Sequence, residues 1–189
     1  ACAGPSPEQA LPLPRAGVFT GVELAWPARA LVLRAARAEA ADPGQGTAIA
    51  VQATVGGEGS EGAPVLEIRS ERASWDLSQQ SVVFEGAVEA RHGDFTLGCT
   101  RLEARFDSPE RLVGAEASGD VRVTHRGRVA SGQRAVLDVL GARIELTGAP
   151  RVQEGGRTLS GERIVLFLDE TRLECERCTL AVVPDGAAP

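Results

Sequence analysis

The stretch SGDVRVTHRGRVASGQRAVLD, residues 118–138, decides the fold. Val121 and Val123 alternate with polar residues, which gives a short strand one apolar face. A polar turn carrying Gly127 follows, and a second strand returns to Gly132. The stretch closes on Ala135 and Leu137 running into Asp138, whose carboxylate is suited to accept turn NH groups where a strand stops.

Working outward, the same closing shape recurs. Asp76, Asp107, Asp138 and Asp169 lie 31 residues apart, and a large apolar residue precedes each: Trp75, Phe106, Leu137, Leu168. Two positions earlier stand Ala73, Ala104, Ala135 and Leu166. An earlier copy, Leu31 to Ala38, matches Leu66 to Ala73 at an offset of 35. A fixed period in this range marks a stacked repeat architecture. Between the aspartates, apolar strands end at Gly86, Gly119 and Gly148, and a further strand begins at once in each case. Polar turns then carry Gly93, Gly127 or Gly155-Gly156, and return strands reach Gly98, Gly132 and Gly161. Alternation is also clear in Val82/Phe84, Ile144/Leu146 and Ile49/Val51/Ala53/Val55. Short alternating strands with turn signals this frequent predict an antiparallel all-β domain. The segment from Ala28 to Ala41 is rich in helix formers. Its register with the second repeat nevertheless assigns it to strand.

Composition narrows the function classes. The net charge of −6 argues against nucleic acid as a partner, because that interaction needs clustered cations to displace counterions. All 20 cationic side chains are arginine. No apolar run approaches the roughly 20 residues of a membrane-spanning helix. The chain has no methionine, so removal of an upstream segment is expected. Ala1-Cys2-Ala3-Gly4-Pro5 resembles the end of a bacterial lipoprotein signal peptide, with Ala1 its last residue, which makes Cys2 a candidate lipidation site on a flexible tether over residues 1–14; the alternative is an ordinary exported chain with an unstructured N-terminus. A single domain is expected over 15–183, with a disordered tail over 184–189.

The stretch from Ser118 to Asp169 resembles the OstA-like repeat of the lipopolysaccharide-transport proteins LptA and LptC. The resemblance is carried by Ser118-Gly119-Asp120-Val121-Arg122-Val123, by Ala130-Ser131-Gly132 through Asp138, by Leu146-Thr147-Gly148-Ala149-Pro150 and by Leu159-Ser160-Gly161. The N-terminal half, from Val65-Leu66-Glu67-Ile68 to Gly86-Ala87-Val88, looks more like LptC. The resemblance implies an open, V-shaped β-jellyroll of two antiparallel sheets with an apolar groove between them. It implies a periplasmic protein, anchored to a membrane through an N-terminal lipid or a removed N-terminal segment. Its implied role is to bind lipopolysaccharide and pass it from an inner-membrane ABC transporter complex towards the outer membrane. An LptA-like jellyroll would then be a partner by edge-strand addition, donated from near Cys175 to Val183. Alternation nominates Val82, Phe84, Phe106, Val121, Val123, Leu137, Ile144, Leu146 and Ile164 as inward, lipid-contacting positions.

Residues of chemical potential do not assemble into an active site, and neither an enzyme nor a cofactor is expected. Cys175-Glu176-Arg177-Cys178 is a CxxC without a second CxxC to complete a zinc site, and it sits in a strand context rather than opening a helix. In an oxidising envelope compartment the plain reading is a Cys175–Cys178 disulfide, weighed against free or differently paired thiols. Cys99 is a candidate unpaired core thiol. His92 and His125 lie beside turn glycines and are expected to be exposed. Gly56-Gly57-Glu58-Gly59-Ser60-Glu61-Gly62 lacks the Lys of a phosphate loop and reads as a long loop. The alternative to a lipid conduit is a non-catalytic structural repeat, an envelope scaffold or adhesion module.

Overall fold

The computed structural model describes residues 16–26, 31–42, 44–55, 66–108 and 111–182. Cys2, the tether through residue 14, the loop 56–62 and the tail from 184 lie outside the described residues. Fourteen strands follow one another with no helix among the described residues. They are β1 (Gly17–Trp26), β2 (Leu31–Asp42), β3 (Gln45–Val55), β4 (Leu66–Asp76), β5 (Ser81–His92), β6 (Phe95–Ser108), β7 (Arg111–His125) and β8 (Arg128–Asp138). Shorter ones complete the chain: β9 (Arg143–Thr147), β10 (Arg151–Glu154), β11 (Arg157–Ser160), β12 (Arg163–Phe167), β13 (Leu173–Glu176) and β14 (Thr179–Val182). All neighbours pair antiparallel, and β1 through β8 are joined in sequence order.

The long strands bend in the middle. In β5 the steps from Glu85 to Val88 lie opposite only Arg101 to Cys99 of β6, so β5 carries one extra residue. In β7 the same happens between Ser118 and Val121, opposite Arg134 and Gly132 of β8. Both bulges place two consecutive residues in the left-handed region, Gly86 (φ 78°) with Ala87 (φ 43°) and Gly119 (φ 77°) with Asp120 (φ 48°). Such φ values cost an L-residue energy that glycine escapes, which is why a glycine leads each pair. Gly148 and Ala149 repeat the pair (φ 74° and 56°), and there the strand breaks into β9 and β10. The glycines read from sequence as strand ends are therefore bends inside a strand at 86 and 119, and a true break only at 148.

The bends lie in one line across the sheet and divide it into two wings. In wing one run 22–26, 31–35, 51–55, 66–70, 88–92, 95–99, 121–125 and 128–132, followed by β10, β11 and β14. In wing two run the remaining parts of β1 to β8, followed by β9, β12 and β13. Backbone hydrogen bonds continue along the bend line, from Gln133 NH to Gly148 O (3.1 Å) and from Glu162 NH to Glu176 O (3.0 Å). Cys175 and Cys178 are paired in a disulfide across the last crossing, between β13 and β14. The inward side changes parity at the bend: in β6 it holds Phe95, Leu97 and Cys99, then Leu102, Ala104 and Phe106. One hydrophobic cluster takes buried residues from both wings, so the core is the space inside an open V.

Strand β2 settles the helix-or-strand conflict. Leu31, Leu33, Ala35 and Ala38 are all buried, and the strand is paired on both sides, to β1 and β3. Burial and two ladders outweigh a propensity preference of a few tenths of a kcal/mol per residue. The repeated aspartates end strands at the tips of wing two. Asp76 Oδ1 accepts the NH groups of Ser78 (2.9 Å) and Gln79 (3.2 Å), and Asp138 Oδ1 accepts that of Gly141 (2.9 Å). Asp42, ending β2, accepts the NH of Gly44 (2.6 Å) and is an earlier copy of the same device.

The bend predicts a contrast between two glycines. Gly119→Ala should destabilise the protein by about 1–2 kcal/mol, because Ala must enter the left-handed region there. At Gly98, in β6, an added methyl would meet only Val88 O at 4.0 Å, and its φ is ordinary. Gly98→Ala should stay within about 0.5 kcal/mol of the parent. Urea unfolding of the two variants measures this, and equal losses would remove the strained bend as an explanation.

The apolar interior between the wings

Register across the ladders arranges the inward side chains in rows at right angles to the strands. In wing one a single row crosses eleven strands: Leu24, Leu33, Ala53, Ile68, Ala90, Leu97, Val123, Ala130, Val152, Leu159, Leu180. Every member is aliphatic. In wing two a row crosses ten strands: Phe19, Ala38, Ala48, Ala73, Phe84, Leu102, Ala117, Ala135, Leu146, Ile164, and it runs out at Cys175 on β13. The first row ends at a free edge, where Leu180 is 59% exposed.

The residues nominated from sequence fall on these inner faces. Val82, Phe84, Val121, Val123, Ile144, Leu146 and Ile164 are almost fully buried, as is Phe106, while Leu137 is half-buried against the same cluster. The structure therefore brings them together, seven on wing two and Val121 and Val123 on wing one. As described, their side chains pack on one another with little exposed surface. Cys99 is buried and unpaired, and burial pushes its thiol up to about 11, so it is held as an unreactive thiol.

The outer face of wing two is the chemical opposite. Glu85 pairs with Arg101 (2.7 Å), Glu116 takes Arg134 through two bonds of 2.7 and 2.8 Å, and Arg163 joins Glu145 (2.7 Å) to Glu176 (2.8 Å). These pairs link neighbouring strands just below the bend line. Each is substantially exposed and worth on the order of 0.2–1 kcal/mol. Their placement matters more: charges on one side and aliphatic rows on the other fix which face of the sheet is inside. Among the described residues no three His, Cys, Asp or Glu side chains are grouped to hold a metal ion.

His125 departs from its expected place at an exposed turn. Its ring is largely buried, Nε2 lies 3.0 Å from Leu168 O, and the ring meets Phe95 edge-on at 6.2 Å. The signal was present in the alternation. Val121, Val123 and His125 share one parity, so the histidine continues the inward face to the tip of β7. Arg126 and Gly127 form the turn beyond it.

A family model described as LptA/(LptD N-terminal domain) LPS transport protein matches residues 67–172, more than half of the chain. The chain belongs to this family. Among solved structures it is similar to LptH of Pseudomonas aeruginosa, described as the LptA-homologous periplasmic component of a conserved lipopolysaccharide transport device. That likeness has a TM-score of 0.59 at 17% identity and covers 63% of this chain and 95% of that one. At such identity it speaks for the fold, and the shared fold is the open jellyroll of the LptA family. No curated protein matches the chain. The matched region begins in β4 and ends just before β13, so it spans both wings and the bends at Gly86, Gly119 and Gly148.

The carboxylates of the outer face give this LptA-family chain a defined acid response. Hydrogen bonding to Arg134 holds Glu116 below the ordinary 4.5, and Arg163 does the same for Glu145. The Ser78 hydroxyl lowers Asp76 below 3.8, and the Gly141 NH lowers Asp138. A carboxylate whose pKa is lower in the folded state contributes fully above its unfolded value and loses that contribution as pH falls through the folded value. Stability should therefore hold down to pH 4.5 and decline below it. Glu116→Gln should flatten that decline. Urea midpoints across the range check both, and a midpoint that rises on acidification would contradict the assignment.

Proposed function

We propose that this chain is a periplasmic lipopolysaccharide carrier, receiving the lipid from an inner-membrane ABC transporter complex and passing it towards the outer membrane between the two wings. The observation that carries this reading is the pair of unbroken apolar rows, one across each wing, the first of which runs out exposed at Leu180. An acyl chain lying along them would exchange one apolar environment for another. Each CH₂ withheld from water is worth about 0.8 kcal/mol, so a multi-acyl lipid needs such a path to cross an aqueous space. Sugars and phosphates would stay outside, where arginines of the rim can meet phosphate oxygens. The place next to the transporter rests on the likeness of the N-terminal half to LptC.

A structural module remains the competing reading, and the tight burial of Phe84, Leu146 and Ile164 favours it. Cross-linking separates the two. A photo-reactive residue at Phe84 or Leu146 should capture lipopolysaccharide in cells, whereas one at outward Glu85 or Glu145 should not. Equal labelling of the two faces, or none at either, would sink the carrier assignment.

The rows also suggest how carriers join. Among the described residues strand β14 pairs with β11 alone, and all four of its residues are exposed. Leu180 pairs with Leu159, so a jellyroll of the LptA type adding a strand here would extend the first row and cover Leu180. Leu180→Glu with Val182→Glu should leave folding intact, since both side chains are exposed, yet weaken binding to an LptA-like partner at least tenfold, about 1.4 kcal/mol. Unchanged affinity in a sedimentation or interferometry titration would place the joint elsewhere.

A further inference from the structure

On the side away from the bend line, the tips of the two wings face each other across a cavity of about 440 Å³. Wing one supplies Val55, Phe95 and His125 to its walls, and wing two supplies Leu112, Leu137 and Leu168. Phe95 belongs to the core cluster, and Leu112, Leu137 and Leu168 pack against it. The cavity is thus an outward extension of the interior and not a separate surface pocket. At its outer edge the turn between β8 and β9 carries Val139 and Leu140, which are 38% and 65% exposed. An apolar lip therefore leads into an apolar throat.

A hydrogen bond crosses this mouth. His125 stands at the tip of β7 in wing one, and Leu168 follows β12 in wing two. The Leu168 carbonyl only accepts, so His125 Nε2, 3.0 Å away, carries the proton and donates it. The other ring nitrogen is buried without a hydrogen-bond partner, although Asp94 Oδ1 lies 3.2 Å off. Elsewhere the wings are joined through the continuous ladders of β1 to β8. Here, among the described residues, a single side chain to backbone bond spans them, and the donating ring is itself incompletely satisfied. A contact of that kind opens far more readily than a ladder.

We propose that this cavity is the lateral port through which one acyl chain of a lipid reaches the interior, and that the His125–Leu168 hydrogen bond is the clasp that opens to admit it. The port presupposes the carrier role argued above. The occupant is a hydrocarbon chain because the throat is apolar and continues into the aliphatic rows. Polar groups, His92, Asp94, Arg126 and Asp169, are confined to the fringe, where a headgroup would stay outside. Both signs of charge occur on that fringe, so the site selects the chain and not a particular headgroup.

Stopped-flow fluorescence of cis-parinaric acid mixed with the full chain tests this. Val139→Trp fills the throat from an exposed turn, where the fold has little to lose, and should slow uptake severalfold. His125→Ala removes the clasp and should speed uptake severalfold, with final occupancy unchanged. Uptake by the parent at a rate that neither substitution alters would overturn the port and leave the carrier role standing. No uptake by the parent at all would remove the carrier role and the port together.

Discussion

A strand that passes two consecutive residues through the left-handed region cannot keep its pleat straight, and β5 and β7 do so at Gly86–Ala87 and Gly119–Asp120. Because the bulges stand in register, with an added Gly119 methyl meeting Thr100 of the neighbouring strand and an added Gly148 methyl meeting Gln133, the bends add up to one crease. A single crease lets one hydrogen-bonded sheet serve as two facing sheets. No strand has to leave one sheet and start another until β8, beyond which the ladder divides into β9–β12–β13 and β10–β11–β14. The V, the shared core and the mouth opposite the crease all follow from that constraint.

The crease also sets what the interior can be. Side chains change parity at the bend on β3, β4, β6 and β8, so both wings turn aliphatic residues to the same side. Wing two's row is rich in alanine, with Ala38, Ala48 and Ala73 on one side of Phe84 and Leu102, and Ala117 and Ala135 on the other, while wing one's row is richer in leucine, isoleucine and valine. Large residues facing small ones is how two sheets fill a space without voids. Outside, the Arg–Glu pairs keep the same sheet from turning over, since a one-residue slip would bury every charge.

Much of this was legible in the sequence, and the failures are local. The 31-residue spacing of Asp76, Asp107, Asp138 and Asp169 is one passage up and down the V, each aspartate marking a tip of wing two. The all-β class and the inward parity of Val82/Phe84, Val121/Val123 and Ile144/Leu146 were readable because period-two alternation is a short-range signal. The crease was not. Gly86 and Gly119 look like strand ends, because a bulge differs from a turn only in whether the neighbouring strands continue past it, and that is decided by pairing across the sheet. His125 was misplaced for a related reason: a turn glycine two residues on drew the reading, while parity with Val121 and Val123 placed it inside. Asp42 escaped because its spacing to Asp76 is 34 residues, off the later period.

A tightly packed interior and a passage for acyl chains are compatible only if apolar contacts are exchanged and not created. Along the two rows a chain would lose contact with aliphatic side chains at one crossing and regain it at the next. The two wings, parted slightly, would lose mutual contact and regain it on the chain between them. Neither exchange brings CH₂ groups into water, so the sum is close to level wherever the chain lies along the rows. A level path transports nothing by itself. Direction then has to be imposed at an end, by a step that spends chemical energy to load the first crossing. The free edge beyond Leu180 matters for the same reason. Were the aliphatic row to continue on a neighbour, the last crossing would be no different from any other, and a chain pushed in at one edge would meet no barrier at which to stop.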